Sequence, residues 1–218
     1  MSLAPSPVAL RASLALAAVL AGPAQATGLF ANGSFENPGN YTYQLYGGGS
    51  TGITGWTTVL SGVEHYNPTA YGQGAAADGR MVVDLANYVY ASGGIEQAVA
   101  TTAGQAYDVS FFAGNTRSSG RDGTGIVKVT IAGSTTLQFA TAVASTGLTV
   151  WEQRSFSFVA TGSSTVIRFW NDQNPNAHFA LIDGVGATVA VPEPGTWGLL
   201  SLGLAGIGWR AGRRTRRG

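Results

Sequence analysis

The 218-residue chain has no cysteine, which removes disulfides, thiol nucleophiles and thiolate metal ligands from consideration. Lysine occurs once, at Lys128, and histidine only at His65 and His178. Charged residues make up 11% of the chain, against about a quarter in an ordinary globular protein. The sequence contains no H-E-x-x-H and no phosphate-cradling glycine loop ending in lysine. No repeat of solenoid or propeller period is present, and the middle of the chain shows no helical periodicity of useful length. What is abundant is glycine, 32 residues, with threonine, serine and valine. That composition favours strands and tight turns.

The two ends differ from the middle. Arg11 precedes an apolar run, residues 12–21, and Pro23-Ala24-Gln25-Ala26-Thr27 follows. A basic residue, a short apolar stretch and an A-x-A site describe a signal peptide cleaved after Ala26. At the other end Val191, Pro192, Glu193 and Pro194 precede an uncharged run from Gly195 to Trp209, and Arg210, Arg213, Arg214, Arg216 and Arg217 close the chain. As a helix, that run extends about 22 Å, short of the ~30 Å hydrocarbon core. Its five glycines weaken it further, so it suits a temporary transmembrane hold. The arginines would anchor on the cytoplasmic side, and the prolines keep the preceding segment extended.

Polar motif, apolar span and arginine cluster, in that order, resemble the PEP-CTERM sorting signal of Gram-negative bacteria. The resemblance implies export across the inner membrane, transient membrane anchoring and processing at Val191–Pro194 by an exosortase-type enzyme. The chain then divides into a signal peptide (1–26), an exported domain (27–190) and a sorting segment (191–218).

This division changes the charge. The whole chain carries +1, but Arg11, the five tail arginines and Glu193 lie outside residues 27–190. Six basic and ten acidic residues remain, a net charge of −4, which argues against nucleic acid as a partner.

Within the domain, strands are expected over residues 80–85, 106–113, 126–131, 151–159, 164–170 and 178–189. Tyr107, Val109 and Phe111 share one face by period-2 alternation, and Val127, Val129 and Ile131 another. Gly-containing turns separate these runs, so the spacing predicts an all-β antiparallel sandwich. Residues 41–55, with three successive glycines, read as a long loop or bulged edge.

Leu29-Phe30-Ala31-Asn32-Gly33-Ser34-Phe35-Glu36 opens the domain. Gly55-Trp56, Asp78-Gly79-Arg80-Met81-Val82-Val83-Asp84-Leu85 and Gly94-Ile95-Glu96-Gln97-Ala98-Val99 follow. Gly104-Gln105-Ala106-Tyr107-Asp108-Val109-Ser110-Phe111 and Ala180-Leu181-Ile182-Asp183-Gly184-Val185 complete the series. In this order they resemble the galactose-binding-domain-like jelly rolls of many carbohydrate-binding modules. They are also similar to bacterial choice-of-anchor C proteins and a related plant cell-wall family of unknown function. Gly184 departs from the asparagine or aspartate usual there.

The resemblance implies a structural calcium joining the first and last strands through Glu36 and Asp183, with backbone carbonyls completing six to eight oxygens. It also implies a sugar ligand, held by aromatic faces and polar groups. Trp56, Tyr66, Tyr88, Tyr90 and Trp170 are the aromatic candidates, with Glu64, Arg80, Asn115 and Asn171 as polar partners. Core packing is the favoured role for Trp56 and Trp170, and Trp151, Phe111, Phe156, Phe158 and Phe169 are assigned to packing.

Catalysis has little support. His65 and Glu64 are neighbours on an extended segment and face opposite sides, and both histidines read as solvated loop residues. The expected protein is an exported, non-catalytic carbohydrate- or exopolysaccharide-binding module of the cell envelope or biofilm matrix. The alternatives are a self-associating or protein-binding matrix protein and, third, a hydrolase.

Overall fold

A computed structural model describes residues 28–86, 92–118 and 120–190. The expected signal peptide, with Ala24 and Ala26, and the sorting segment lie outside the described residues, as do Tyr88 and Tyr90. Among the described residues no helix is long and apolar enough to cross a membrane.

Eleven strands are described: β1 (Tyr43–Tyr46), β2 (Thr57–Leu60), β3 (Val63–Tyr66), β4 (Val82–Asp84), β5 (Gly93–Ala100) and β6 (Ala106–Asn115), then β7 (Ile126–Ile131), β8 (Thr135–Ala140), β9 (Val150–Val159), β10 (Ser164–Asn171) and β11 (Leu181–Val189). They pair in two antiparallel sheets, six-stranded β1-β3-β4-β11-β6-β9 and five-stranded β2-β5-β10-β7-β8. This is the antiparallel sandwich expected from the sequence.

Alternation builds the interior. Tyr107, Val109, Phe111 and Ala113 of β6 are buried while Asp108 is exposed. Val127, Val129 and Ile131 of β7 and Ile167 and Phe169 of β10 do the same from the other sheet. The sheets meet through aromatics: Phe111 lies 5.2 Å from Phe169, whose ring stands 6.2 Å from Trp56. Trp56 stacks on Phe30 at 5.6 Å, and Phe111 meets Phe139 edge-on. Each buried aromatic is worth roughly 1.5–3 kcal/mol by transfer, which lets the domain do without disulfides.

The expected strands are present, with boundaries shifted by a few residues. β1 falls inside residues 41–55, where a loop or bulged edge was expected; it is an edge strand paired to β3, and the glycines follow it. Gly62, at φ 103°, lets the β2–β3 turn pass against β1, since a Cβ there would meet the Tyr46 carbonyl at 1.9 Å. β11 bulges between Asp183 and Gly186, and Gly184 takes φ 55°. That left-handed conformation is open to glycine, asparagine and aspartate, which accounts for the departure noted at this position. Glycine also fits best, because a Cβ would approach the Phe112 ring at 2.9 Å.

Candidate functional site

The outer face of the six-stranded sheet is not left flat to solvent. Tyr66 of β3, Val82 of β4 and Leu181 of β11 form a second apolar cluster there with Phe179, flanked by Ala76 and Trp151. Three segments rise around it. Residues 67–80 start with a 3-10 helix, Pro68–Tyr71, capped by the Asn67 side chain, and the Trp151 indole donates to the Ala75 carbonyl at 3.1 Å. The β6–β7 and β10–β11 connections clasp each other, with the Gly123 amide donating to Ala177 at 2.7 Å.

These walls border an open cavity of about 410 Å³ lined by Tyr43, Glu64, Tyr66, Tyr71, Gln73, Ser118, Arg121 and Phe179. Tyr43 and Tyr71 stand exposed at the rim, while the other aromatic and charged groups are recessed. Tyr71 meets Tyr66 edge-on at 5.7 Å and Tyr43 at 6.4 Å. The Tyr66 hydroxyl donates to Gln73 Oε1 at 2.8 Å, which leaves the Gln73 amide N–H groups to act as donors.

Under the cavity lies a buried ion pair. Arg121 Nη2 donates to Asp84 Oδ2 at 2.8 Å, Arg121 Nε donates to the His178 carbonyl at 2.9 Å, and the guanidinium covers the Phe179 ring at 3.5 Å. Asp84 also accepts from the Ala86 and Ala180 amides, so both its oxygens are engaged. Burial pushes the Tyr66 phenol well above its usual range, with Asp84 and Glu64 adding to the effect. Burial likewise raises Tyr43, to about 12, with Glu64 next in importance.

Of the residues singled out from sequence, Tyr66 and Glu64 reach this cavity. Trp56 does not: it is 1% exposed, stacked in the core, with its indole donating to the Asn32 carbonyl. Asn115 is buried as a fastener, its amide donating to the Gly123 and Ala142 carbonyls at 3.0 Å. Asn171 is likewise buried, donating to Ile126. Arg80 is exposed and its guanidinium donates to the Gly39 carbonyl. Trp170 sits on the five-stranded sheet, donating to Thr130 Oγ1 at 3.0 Å with Lys128 over its ring. It therefore faces away from the Tyr66 cavity.

Both histidines are buried, where solvated loop positions were expected. His65 Nε2 donates to the Phe35 carbonyl at 2.8 Å, so Nδ1 accepts from the Tyr41 hydroxyl at 2.6 Å. Burial lowers its pKa to about 4, with Phe35 and Glu36 opposing. Burial also lowers that of His178.

Glu36 and Asp183 converge, from opposite ends of the domain, on the loop at residues 77–81. Glu36 Oε1 accepts from the Arg80 and Met81 amides at 2.6 Å each. Asp183 accepts from the Asp78 amide at 2.8 Å, from Gly184 at 2.7 Å and from Ala77. Amide donors thus engage Glu36 Oε1 and both oxygens of Asp183, and among the described residues no three metal-binding side chains converge. The two carboxylates tie the start of the domain and its last strand to this loop through hydrogen bonds. Burial, the largest influence, raises the Asp183 carboxyl to about 7 against those stabilising amides.

Sequence reasoning missed Tyr43, Tyr71, Gln73, Ser118, Arg121 and Phe179. The signal available was a tyrosine-rich stretch, Tyr41-Thr42-Tyr43-Gln44-Leu45-Tyr46, and Arg121 set among glycines. Nothing in the linear order joins them.

The chain is similar to several solved structures. One is TmCBM61 in complex with β-1,4-galactotriose, at 15% identity and TM-score 0.43, covering 75% of this chain and 99% of that one. Another is a family 35 carbohydrate-binding module from Clostridium thermocellum, at 16% identity and TM-score 0.42, covering 69% and 100%. A third is the CBM36-1 domain of a multidomain xylanase from the hindgut metagenome of Trinervitermes trinervoides, at 14% identity and TM-score 0.41, covering 55% and 86%. No curated protein matches the chain. The PEP-CTERM protein-sorting motif matches residues 190–214, which marks the chain for export and for processing at the membrane. The family described as "Protein of unknown function (DUF642)" matches residues 28–187, the sandwich almost from end to end, and the chain belongs to that family.

Proposed function

We propose that the protein binds glycan in the Tyr66 cavity, without cleaving it, after export to the cell surface or extracellular matrix. The observation carrying this reading is the joint lining: aromatic rings of Tyr43, Tyr66, Tyr71 and Phe179 beside Glu64, Gln73, Ser118 and Arg121. Sugars offer C–H patches to aromatic faces and hydroxyls to paired donors and acceptors. A volume of about 410 Å³ falls within the range of small-ligand sites.

Binding is preferred to hydrolysis because of Asp84. Glu64 and Asp84 are cross-strand partners, the kind of carboxylate pair a glycosidase uses. Asp84, however, is committed to Arg121 and two backbone amides. A carboxylate so fixed is a poor proton carrier, and Glu64 alone does not make an acid–base pair.

A glycan array probed with the purified protein, followed by calorimetry on the hits, tests the proposal. The expected result is binding that Tyr71→Ala weakens and Trp170→Ala leaves unchanged. Failure to retain any glycan would overturn it and favour the structural matrix role. Release of shortened products would favour the hydrolase.

A further inference from the structure

The sandwich has two unlike poles. The β5–β6, β7–β8 and β9–β10 turns meet at one end, and β11 finishes beside them, the Ala190 amide donating to the Ala106 carbonyl at 3.0 Å. The cavity lies at the other end, among the β6–β7 and β10–β11 connections. The ten residues of β6 run from one pole to the other, a length of about 30 Å at the rise of an antiparallel strand.

Backbone hydrogen bonds make the first pole one surface. The Gly104 amide donates to Ala160 at 2.7 Å, Ala160 to Gln105 at 2.9 Å, Thr101 to Ser163 at 3.0 Å and Ala132 to Val166 at 2.9 Å. No charged residue occurs in residues 101–105, 132–134, 160–163 or 189–190. Along the strands that reach this pole, the nearest charge is Asp108, two residues into β6. Val159 and Val189 stand 61% and 45% exposed there. In a domain of net charge −4, such a neutral pole is the side that an anionic surface repels least.

The chain itself brings such a surface close. The sorting motif begins at residue 190, and the uncharged run begins at Gly195, five Cα steps beyond Ala190. Fully extended, those steps reach at most about 18 Å, of which the headgroup layer takes roughly 5–7 Å. A tether of that length would still let the domain lie on its side. Both sheet faces carry carboxylates, however, Asp108 on one and Glu96 on the other, and an anionic bilayer resists them.

We propose that, while the sorting segment is held in the bilayer, the domain stands with this neutral pole on the phospholipid headgroups and the cavity facing away. The cavity is then open to a ligand before the chain is processed. That orientation depends on the sorting segment and not on what the cavity binds.

Fluorophore labelling of the full chain freed of its signal peptide tests this, in vesicles of phosphatidylethanolamine and phosphatidylglycerol with a nitroxide quencher on some headgroups. The chain has no cysteine, so Thr161→Cys at the neutral pole and Ala177→Cys beside the cavity each take a single label. Both residues are exposed. The label at residue 161 is expected to lose most of its emission, and that at residue 177 to keep nearly all of it. Ala103→Glu with Ser134→Glu, both exposed positions of the pole, should lift it and restore emission at residue 161. Added salt, or vesicles of phosphatidylcholine alone, should cancel that restoration. Melting curves check that each variant folds. Equal quenching at the two poles, stronger quenching at residue 177, or indifference to the added glutamates overturns the proposal. A chain that washes off the vesicles overturns it too.

Discussion

The two outer faces of the sandwich carry similar chemistry and put it to different use. On the five-stranded sheet, Trp170, Lys128, Asp172, Arg168 and Glu96 make ion pairs and a cation–π contact in partial solvent exposure. On the six-stranded sheet, an arginine, carboxylates and aromatics are recessed beneath loops that clasp one another. Aromatic and charged residues on a strand do not make a site by themselves. Walls do, because they make a concave surface and fix the polar groups before a ligand arrives.

The largest effect expected from breaking this contrast is on stability. Arg121→Ala strands the buried Asp84 carboxylate, at 0% exposure, and should cost about 3–5 kcal/mol in urea unfolding. Arg168→Ala removes an ion pair whose side chains are 40% and 25% exposed, and should cost no more than about 1 kcal/mol. Equal losses would erase the distinction between the faces.

Next in size is binding. Tyr71→Ala should weaken glycan affinity by about 2- to 10-fold, the worth of one aromatic contact. Trp170→Ala, on the opposite sheet, should leave it unchanged. The reverse pattern would move the site to the flat face.

A smaller effect, on pH dependence, comes from two buried groups of the six-stranded sheet. Asp183 holds its proton up to about 7 in the folded state, from an ordinary value of 3.8. The folded state therefore binds more protons in that window, and this group's contribution to stability falls as pH rises through it. His65 runs the other way: its pKa drops from 6.5 to about 4, so its contribution rises with pH between those values. The two partly cancel. Melting curves across this range should rise with pH more steeply in Asp183→Asn than in the parent, and less steeply in His65→Gln.

The smallest expected effect is that of a chelator. With amide donors on Glu36 and Asp183, EDTA should leave the melting temperature unchanged. A clear drop would show that calcium shares the staple after all, as the family resemblance implied.

Much of the fold was legible because burial on a pleated strand imposes a period of two. Val127, Val129 and Ile131 could be placed inside before any partner was known, and β7 matched its expected limits. β1, β2, β3, β5 and β8 were missed, and for β1, β2, β3 and β8 the reason is physical. Short or edge strands, and strands such as β3 that are buried on both faces, lose the alternation. Among the site residues, Tyr66 and Glu64 were named from sequence, whereas Arg121 was not. Its significance lies in Asp84, 37 residues earlier and across a sheet. Trp56 was nominated for its chemistry, yet the stacking of Phe30 on its ring makes it core.

Sequence by itself determined that this chain is marked for export and what class of fold it has. Targeting segments are read in linear order, and strand alternation is local, so neither needs a partner to be recognised. Only the tertiary structure decided which aromatics stayed open and which carboxylates were already committed. Those properties belong to side chains brought together from distant strands and loops. The glycine turns that allow such a meeting do not specify its participants; packing across the sheet does.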